Sequence, residues 1–133
     1  MSICRLYELP NLGDSRGSLV SVDLPTGLPF EIRRVYYIFG TKPEVSRGFH
    51  THKTLHQVAV CLSGSCMMVL DNGKNREDVL MDSPFSGVYL PPMLWHEMYN
   101  FTPDCVLLVL ASDYYDESDY VRDYSDFKGM ILG

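Results

Sequence analysis

Two histidines that stand two positions apart are the first candidates for chemistry in this sequence. His50 and His52 lie in the run Arg-Gly-Phe-His-Thr-His-Lys, and on an extended strand both side chains point to the same face. A histidine can remove or return a proton near pH 7 with little tuning. The pair therefore predicts acid–base catalysis, or metal binding if further ligands lie close. The alternative is a pair of solvent-facing polar residues on an edge strand.

Further polar residues point to an anionic ligand near this pair. His96 follows a Pro-Pro turn in a second polar segment, Gly87–Asn100. Arg47 comes three residues before the first histidine, and Arg16 lies in an Asp-Ser-Arg-Gly turn. Guanidinium groups bind phosphate oxygens in a bidentate manner. For Arg16 the alternative is an ion pair with Asp14 inside the turn.

Length and composition limit the classes of protein. The 133 residues suit one domain, which we place at residues 1–133. A net charge of -6 at pH 7 repels phosphate backbones, so we expect no nucleic-acid partner. The longest apolar run, Cys105–Ala111, is too short to cross a bilayer, and the N-terminus lacks the apolar region of a signal peptide. Four cysteines without a C-x-x-C pair indicate thiols in a reducing compartment, so we expect a soluble cytoplasmic protein without membrane contact.

Short β-like runs separated by turn residues recur along the chain. The runs predict strands at Ile3–Leu9, Ser18–Asp23, Arg33–Phe39, Gln57–Leu62, Met67–Asp71, Asp78–Met81, Gly87–Leu90, Glu97–Phe101 and Cys105–Ala111. Asp71-Asn72-Gly73 predicts a hairpin, because Asn and Gly accept the positive φ of such turns. Helical periodicity appears only at 116–127. The pattern predicts an all-β sandwich or jelly roll with a short C-terminal helical segment.

The two histidine segments resemble the two motifs of the cupin superfamily. The matching residues are His50, His52 and Gly64 in the first motif, and Gly87, Pro91, His96 and Asn100 in the second. The resemblance implies a cupin-type jelly-roll sandwich or barrel. Metal-binding cupins hold a divalent transition metal with three histidines and a glutamate, but Gln57 stands at the glutamate position and Met93 at the turn glycine. A neutral ligand weakens such a site, so we expect no metal cofactor. A metal held by the three histidines is the alternative.

Longer segments resemble the dTDP-4-keto-6-deoxyglucose 3,4-ketoisomerases over most of the chain. These segments are Arg33–Phe39, Arg47–Lys53, Leu90–Met98 and Val109–Tyr120. Asp14–Leu19 and Arg47–His50 are also similar to signatures of the dTDP-4-keto-sugar 3,5-epimerases, which are metal-free cupins. The distal tyrosine acid and the aspartate partner of those epimerases have no recognisable match here.

The closer resemblance implies an isomerase of deoxyamino-sugar biosynthesis, as used for O-antigen and S-layer glycans. It would move a carbonyl from carbon 4 to carbon 3 of the hexose by taking the proton of carbon 3 and returning one to carbon 4. We assign His52 as the base and His50 as its partner, with the order left open. Tyr37 would donate a hydrogen bond to the oxyanion, unless it is a packed aromatic. Trp95 and His96 would line the same cavity, unless His96 has a structural role.

The same resemblance implies how a dTDP-linked keto-sugar is bound. Arg47 and Arg16 would contact the diphosphate, Arg16 from a neighbouring subunit. Arg33 and Arg34 point to opposite faces of a strand, so at most one of them can face the pocket, and we assign Arg34 to substrate binding. A homodimer with an exchanged N-terminal strand is expected. The alternative functions are a 3,5-epimerase, a metal-dependent cupin enzyme and a non-catalytic sugar-nucleotide binding module.

Overall fold

Strands make up most of the regular secondary structure. The computed structural model describes residues 2–23 and 27–132. The strands within these ranges are β1 Leu6–Glu8, β2 Arg34–Ile38, β3 Arg47–His52, β4 Gln57–Ser63, β5 Cys66–Asp71, β6 Arg76–Met81, β7 Ser86–Leu90, β8 Trp95–Tyr99, β9 Val106–Ala111 and β10 Tyr120–Val121. A 3-10 turn covers Glu117–Asp119, and the helix α1 covers Tyr124–Leu132.

The strands form two antiparallel sheets of five strands each. The first sheet has the order β1-β7-β4-β9-β2 and the second the order β10-β3-β8-β5-β6. Apolar side chains from the two inner faces make one core, in which Met68, Leu70 and Leu107 are fully buried. Burying these alternating apolar positions drives the sheets together. The predicted all-β sandwich with a short C-terminal helix is confirmed.

The predicted elements differ from the observed ones in three places. Ser18–Asp23 forms no strand; instead its Val20 packs on the outer face of the first sheet. β3 and β10 are absent from the predicted strands, because β3 contains a glycine and few β-branched residues and β10 has only two residues. The helix begins later than predicted, at Tyr124, where the Asp123 carboxylate accepts the Asp126 N–H at 3.0 Å.

The turn between β5 and β6 is the predicted hairpin. The side-chain oxygen of Asn72 accepts hydrogen bonds from the N–H groups of Lys74 and Asn75. Gly73 has a φ of +93°, and a Cβ there would lie 2.8 Å from a methyl group of Ile131 on α1. The turn therefore requires glycine both for its backbone and for the close approach of the helix.

α1 closes the outer face of the second sheet. Its Phe127 is fully buried, and the ring centroid lies 5.7 Å from that of Trp95 on β8. Lys128 donates a hydrogen bond to the Gly73 carbonyl at 2.6 Å. No helix in the described ranges, α1 included, is long and apolar enough to cross a membrane.

Candidate active site

A cavity of about 630 Å³ lies between the two sheets and opens to solvent. This volume falls in the range of small-molecule sites. Its floor is apolar and is formed by Ala59, Met68, Leu90, Leu107 and Val109. The polar groups come from β2, β3, β8 and the segment that leads into α1, so one ligand can meet charged groups from distant parts of the chain.

A β-bulge in β3 brings a cation and an imidazole to the same wall. Arg47 pairs with Met98 of β8, and His50 pairs with His96, so three steps on β3 match two on β8. Gly48 lies within the irregularity at a φ of +90°. Residues three apart on a regular strand point to opposite faces. Because the bulge adds one residue, Arg47 and His50 both line the cavity.

His50 is the member of the histidine pair that faces the cavity. Its Nδ1 lies 3.1 Å from the carbonyl oxygen of Gly48. Since a carbonyl only accepts, Nδ1 carries the proton and Nε2 keeps a lone pair. Burial lowers the pKa of His50, so the ring is neutral at pH 7. A neutral imidazole with an available Nε2 is a suitable general base.

His52 lies behind His50 and does not line this cavity. Its side chain is buried, and its Nδ1 is 3.7 Å from Oδ2 of Asp119. Burial and the neighbouring His50 lower the pKa of His52 to about 4. The ring centroids of the two histidines are 5.1 Å apart in a T-shaped arrangement. Of the two histidines, His50 therefore lines the cavity, and His52, which the sequence favoured as the base with the order left open, lies behind it.

His96 lines the cavity beside His50. Its ring centroid lies 4.6 Å from that of His50, and its Nδ1 is 3.2 Å from the carbonyl oxygen of Leu94. Burial lowers the pKa of His96 to about 3, so this ring is also neutral. It gives the cavity a second oriented imidazole without adding positive charge.

Gln57, at the position of the cupin glutamate, is the partner of a cavity tyrosine. The hydroxyl of Tyr36 donates a hydrogen bond to Oε1 of Gln57 at 2.6 Å. Burial raises the pKa of Tyr36 to about 12, so the phenol stays protonated. Within residues 2–23 and 27–132, no group of three or more His, Cys, Asp or Glu side chains has the spacing of a metal site.

Tyr36, rather than the expected Tyr37, points into the cavity. The inner positions of β2 alternate through Arg34, Tyr36 and Ile38. Tyr37 is 62% exposed, and its ring lies beside that of Phe39 outside the barrel, so it meets the cavity only at the rim. A shift of one residue along a strand exchanges the two faces, and two adjacent tyrosines give the sequence no means to choose.

Arg34 and Arg47 provide positive charge in the cavity. The guanidinium carbon of Arg34 lies 5.1 Å from the centre of the Tyr36 ring. Its Nε is buried and has no hydrogen-bond partner among the described residues. Two guanidinium groups that line one cavity from facing sheets create a site for an anionic ligand.

The segment before α1 forms a further wall that the sequence did not indicate. Arg122 lies 4.2 Å from the ring centre of Tyr120 and makes a bidentate ion pair with Glu117 at 2.8 and 2.9 Å. Hydrogen bonds from Arg122 and Tyr115 lower the pKa of Glu117 to about 2. The only signal for this wall was the match over Val109–Tyr120, which identified no role for its residues.

Trp95 was expected to line the cavity, but the structure places it elsewhere. It neighbours His96 on β8, so the two side chains lie on opposite faces. The indole N–H of Trp95 donates to Glu97 at 2.8 Å, and its ring packs against Tyr124 and Phe127 of α1. The residue stabilises the helix contact instead.

Arg16 also lies away from the cavity within one chain. It is exposed, and its guanidinium contacts the Asp14 carboxylate at 2.6 Å. Backbone hydrogen bonds between Asp14 and Gly17 close this turn. The structure therefore brings together Arg34, Arg47, His50 and His96, with Tyr37 at the rim, His52 behind the wall, and Trp95 and Arg16 elsewhere.

Comparisons with known proteins agree on one family. Residues 2–131 match the family described as FdtA: WxcM-like, C-terminal. A curated TDP-4-oxo-6-deoxy-alpha-D-glucose-3,4-oxoisomerase of Aneurinibacillus thermoaerophilus is 57% identical over 127 residues, which cover 96% of this chain and 91% of that protein. A 3,4-ketoisomerase from Helicobacter canadensis has a TM-score of 0.94 and 40% identity, with 100% of both chains covered. The sugar 3,4-ketoisomerase QdtA from Thermoanaerobacterium thermosaccharolyticum, solved in complex with TDP, also has a TM-score of 0.94 and 40% identity, over 97% of this chain and 94% of that one.

Proposed function

This chain belongs to the FdtA family, whose matched relatives are sugar 3,4-ketoisomerases, and from that membership we propose the reaction that it catalyses. The chain converts dTDP-4-keto-6-deoxyglucose to a dTDP-3-keto-6-deoxyhexose. The product carries its ketone at the carbon where a deoxyamino sugar can receive nitrogen. One observation supports the assignment of the chemistry: the neutral His50 lies on the wall of a cavity that the guanidinium groups of Arg34 and Arg47 also line.

The reaction needs a base, a stabilised oxyanion and a returned proton. The ketone at carbon 4 acidifies the proton on carbon 3, and Nε2 of His50 removes it. The electron pair left on carbon 3 forms an enediolate, whose negative charge the guanidinium groups of the cavity stabilise. The hydroxyl proton of carbon 3 moves to the oxygen of carbon 4, and the protonated His50 returns a proton to carbon 4. The ketone is then on carbon 3 and the imidazole is neutral again. Nε2 of His96, beside the base, can accept a hydrogen bond from a hydroxyl of the enediol.

The nucleotide part of the substrate explains the positive charge of the cavity. Arg47 and His50 lie on either side of the bulge in β3, and Arg34 lies on the facing sheet. Both can make charge-assisted hydrogen bonds to a diphosphate. A contact from Arg16 of a neighbouring subunit stays a prediction, because this turn lies outside the cavity of its own chain.

Solvent hydrogen should appear at carbon 4 of the product. In heavy water with dTDP-4-keto-6-deoxyglucose, we expect deuterium at carbon 4 of a 3-keto sugar, because the proton on His50 exchanges with solvent before a proton is returned. Nuclear magnetic resonance of the product measures the position of the label. A 3,5-epimerase would instead label carbons 3 and 5 and keep the ketone at carbon 4, so deuterium at carbon 5 contradicts the proposal. A binding module would add no label above a sample without protein.

We also propose a homodimer that uses the outer face of the first sheet. The edge strand β2 presents a row of apolar side chains there, with Val35, Tyr37 and the following Phe39 each more than half exposed. Exposed apolar rows of this kind mark interfaces, and a small domain gains stability from the added burial. β1 pairs with β7 of its own chain, and the expected strand exchange would form the same pairing between two chains.

The dimer can be tested by sedimentation. At micromolar concentration we expect a mass near twice the 15.2 kDa of the chain. The double variant Val35→Ser with Phe39→Ser should shift the protein to single chains, since it removes the apolar row. Leu80→Ser is the control, because Leu80 is similarly exposed on β6 at the far edge of the other sheet. A wild-type mass of one chain would show that the interface is not used.

A cytoplasmic location is proposed on the state of the cysteines. All four are free thiols, and burial raises the pKa of Cys61, Cys66 and Cys105. Cysteines that form no disulfide are typical of proteins in a reducing compartment, and burial with a raised pKa keeps these thiols unreactive.

A further inference from the structure

A second and much smaller chamber lies on the other side of His52. Its volume is about 30 Å³, which is more than the roughly 10–15 Å³ that one water molecule needs. His52 and Asp119 border this chamber, whereas His50 borders only the large cavity. Arg34 contributes to the walls of both. The chamber is thus separate from the site that takes the substrate but is connected to it through the histidine pair.

Polar atoms at this chamber lack partners. His52 is only 3% exposed, and neither of its ring nitrogens has a hydrogen bond to any described residue. The buried Nε of Arg34 also has no hydrogen bond to any described residue. Buried polar groups are almost always hydrogen-bonded, to protein or to ordered water. Unpaired atoms on the wall of a water-sized chamber therefore indicate a bound water.

The Asp119 carboxylate is held rigidly opposite His52. Oδ1 accepts hydrogen bonds from the N–H and the hydroxyl of Thr54 at 3.0 and 2.9 Å. Oδ2 accepts one from the N–H of Leu55 at 3.1 Å. The 3.7 Å between Oδ2 and Nδ1 of His52 is too long for a direct hydrogen bond, but one water can bridge the two atoms.

We propose that one ordered water occupies this chamber and bridges Nδ1 of His52 to the Asp119 carboxylate. The negative charge of the Asp119 carboxylate, which only accepts, favours an N–H that points toward it, so the water accepts a hydrogen bond from Nδ1–H of His52 and donates one to Oδ2. The bridge thereby keeps the proton of His52 on Nδ1 and fixes the ring plane. The ring of His52 stands 5.1 Å from that of His50 and 4.2 Å from that of Tyr120, so it supports the base from behind. Asp119 is then a positioning residue that acts through the water and His52. Only this last consequence rests on the proposed function.

Histidine nitrogen spectra test the bridge directly. In wild-type protein labelled with ¹⁵N, we expect the His52 resonances of the tautomer with its proton on Nδ1. In Asp119→Ala, His52 should move to the other tautomer or to a mixture, because the acceptor is lost. Asp113→Ala is the matched control, since Asp113 lines the same chamber and its replacement removes the same side chain and charge. This variant should leave the His52 signals unchanged. Turnover of Asp119→Ala should fall, by up to about 100-fold for a misplaced catalytic group, with KM nearly constant.

Two results would overturn the proposal. One is a His52 spectrum in Asp119→Ala that matches the wild type. The other is a wild-type crystal structure, at a resolution that shows ordered waters, with no density in the chamber; this measurement decides the matter even if the variant does not fold. If the wild type fails to isomerise the keto-sugar while its His52 signals are as expected, the proposed function is wrong and the water bridge stands.

Discussion

Replacing His50 with asparagine is expected to lower turnover by a factor of about 10²–10⁴, the usual contribution of general base catalysis. Asparagine can keep a hydrogen bond to the Gly48 carbonyl, but it has no lone pair basic enough to take the proton of carbon 3. The affinity for dTDP should stay nearly unchanged, because the guanidinium groups are untouched. Turnover is measured from the rate at which the 3-keto product appears, and affinity by calorimetric titration with dTDP.

His52→Asn is the matched variant, since it makes the same replacement two residues away. His52 lies off the cavity wall, so its loss should reduce turnover less than the loss of His50. A His50→Asn enzyme with wild-type turnover would contradict the assignment of the base. A larger loss in His52→Asn than in His50→Asn would restore the order that the sequence alone suggested.

Replacing Arg47 with alanine should weaken dTDP binding by about 10-fold to 100-fold. Hydrogen bonds to charged groups contribute about 1.5–3 kcal/mol, and each 1.4 kcal/mol is about a tenfold change in affinity. The dTDP affinity of Arg47→Lys should lie between those of Arg47→Ala and the wild type, because lysine keeps the charge and loses the bidentate geometry. Calorimetric titration with dTDP at fixed salt concentration measures the change.

Arg33→Ala is the control for this experiment. Arg33 is exposed and immediately precedes Arg34 at the start of β2, but it does not line the cavity. Its removal changes the net charge by the same amount as Arg47→Ala and should leave the dTDP affinity within about twofold, as for surface substitutions. Equal affinities of Arg47→Ala and the wild type would show that the diphosphate binds elsewhere.

Local sequence predicted the parts of the site that one short segment contains. Arg47, His50 and His52 lie within six residues of β3, so their proximity needed no tertiary information. A glycine within a strand can mark a bulge, but β3 was not predicted as a strand, and the effect of Gly48 on Arg47 depends on the pairing with β8. That pairing is long-range and is decided by the whole sheet.

Other parts of the site could not be predicted for identifiable physical reasons. Tyr36 and Tyr37 are identical neighbours, so only the packing of β2 decides which one turns inward. Arg122 reaches the cavity from the residue after the two-residue strand β10, in a segment whose periodicity indicated a helix instead. The orientation of Trp95 could have been predicted from the sequence, because a residue next to the cavity-facing His96 on the same strand points away from the cavity.

The two faces of β8 serve different purposes: one contacts the ligand, and the other stabilises the fold. His96 and Met98 border the ligand space, while Trp95 and Glu97 face the contacts with α1 and Arg76. Thermal tolerance can therefore evolve, or be engineered, on the α1 side of the strand without altering the surface that meets the sugar. Substrate preference can likewise drift on the inner side while the helix contact maintains the barrel.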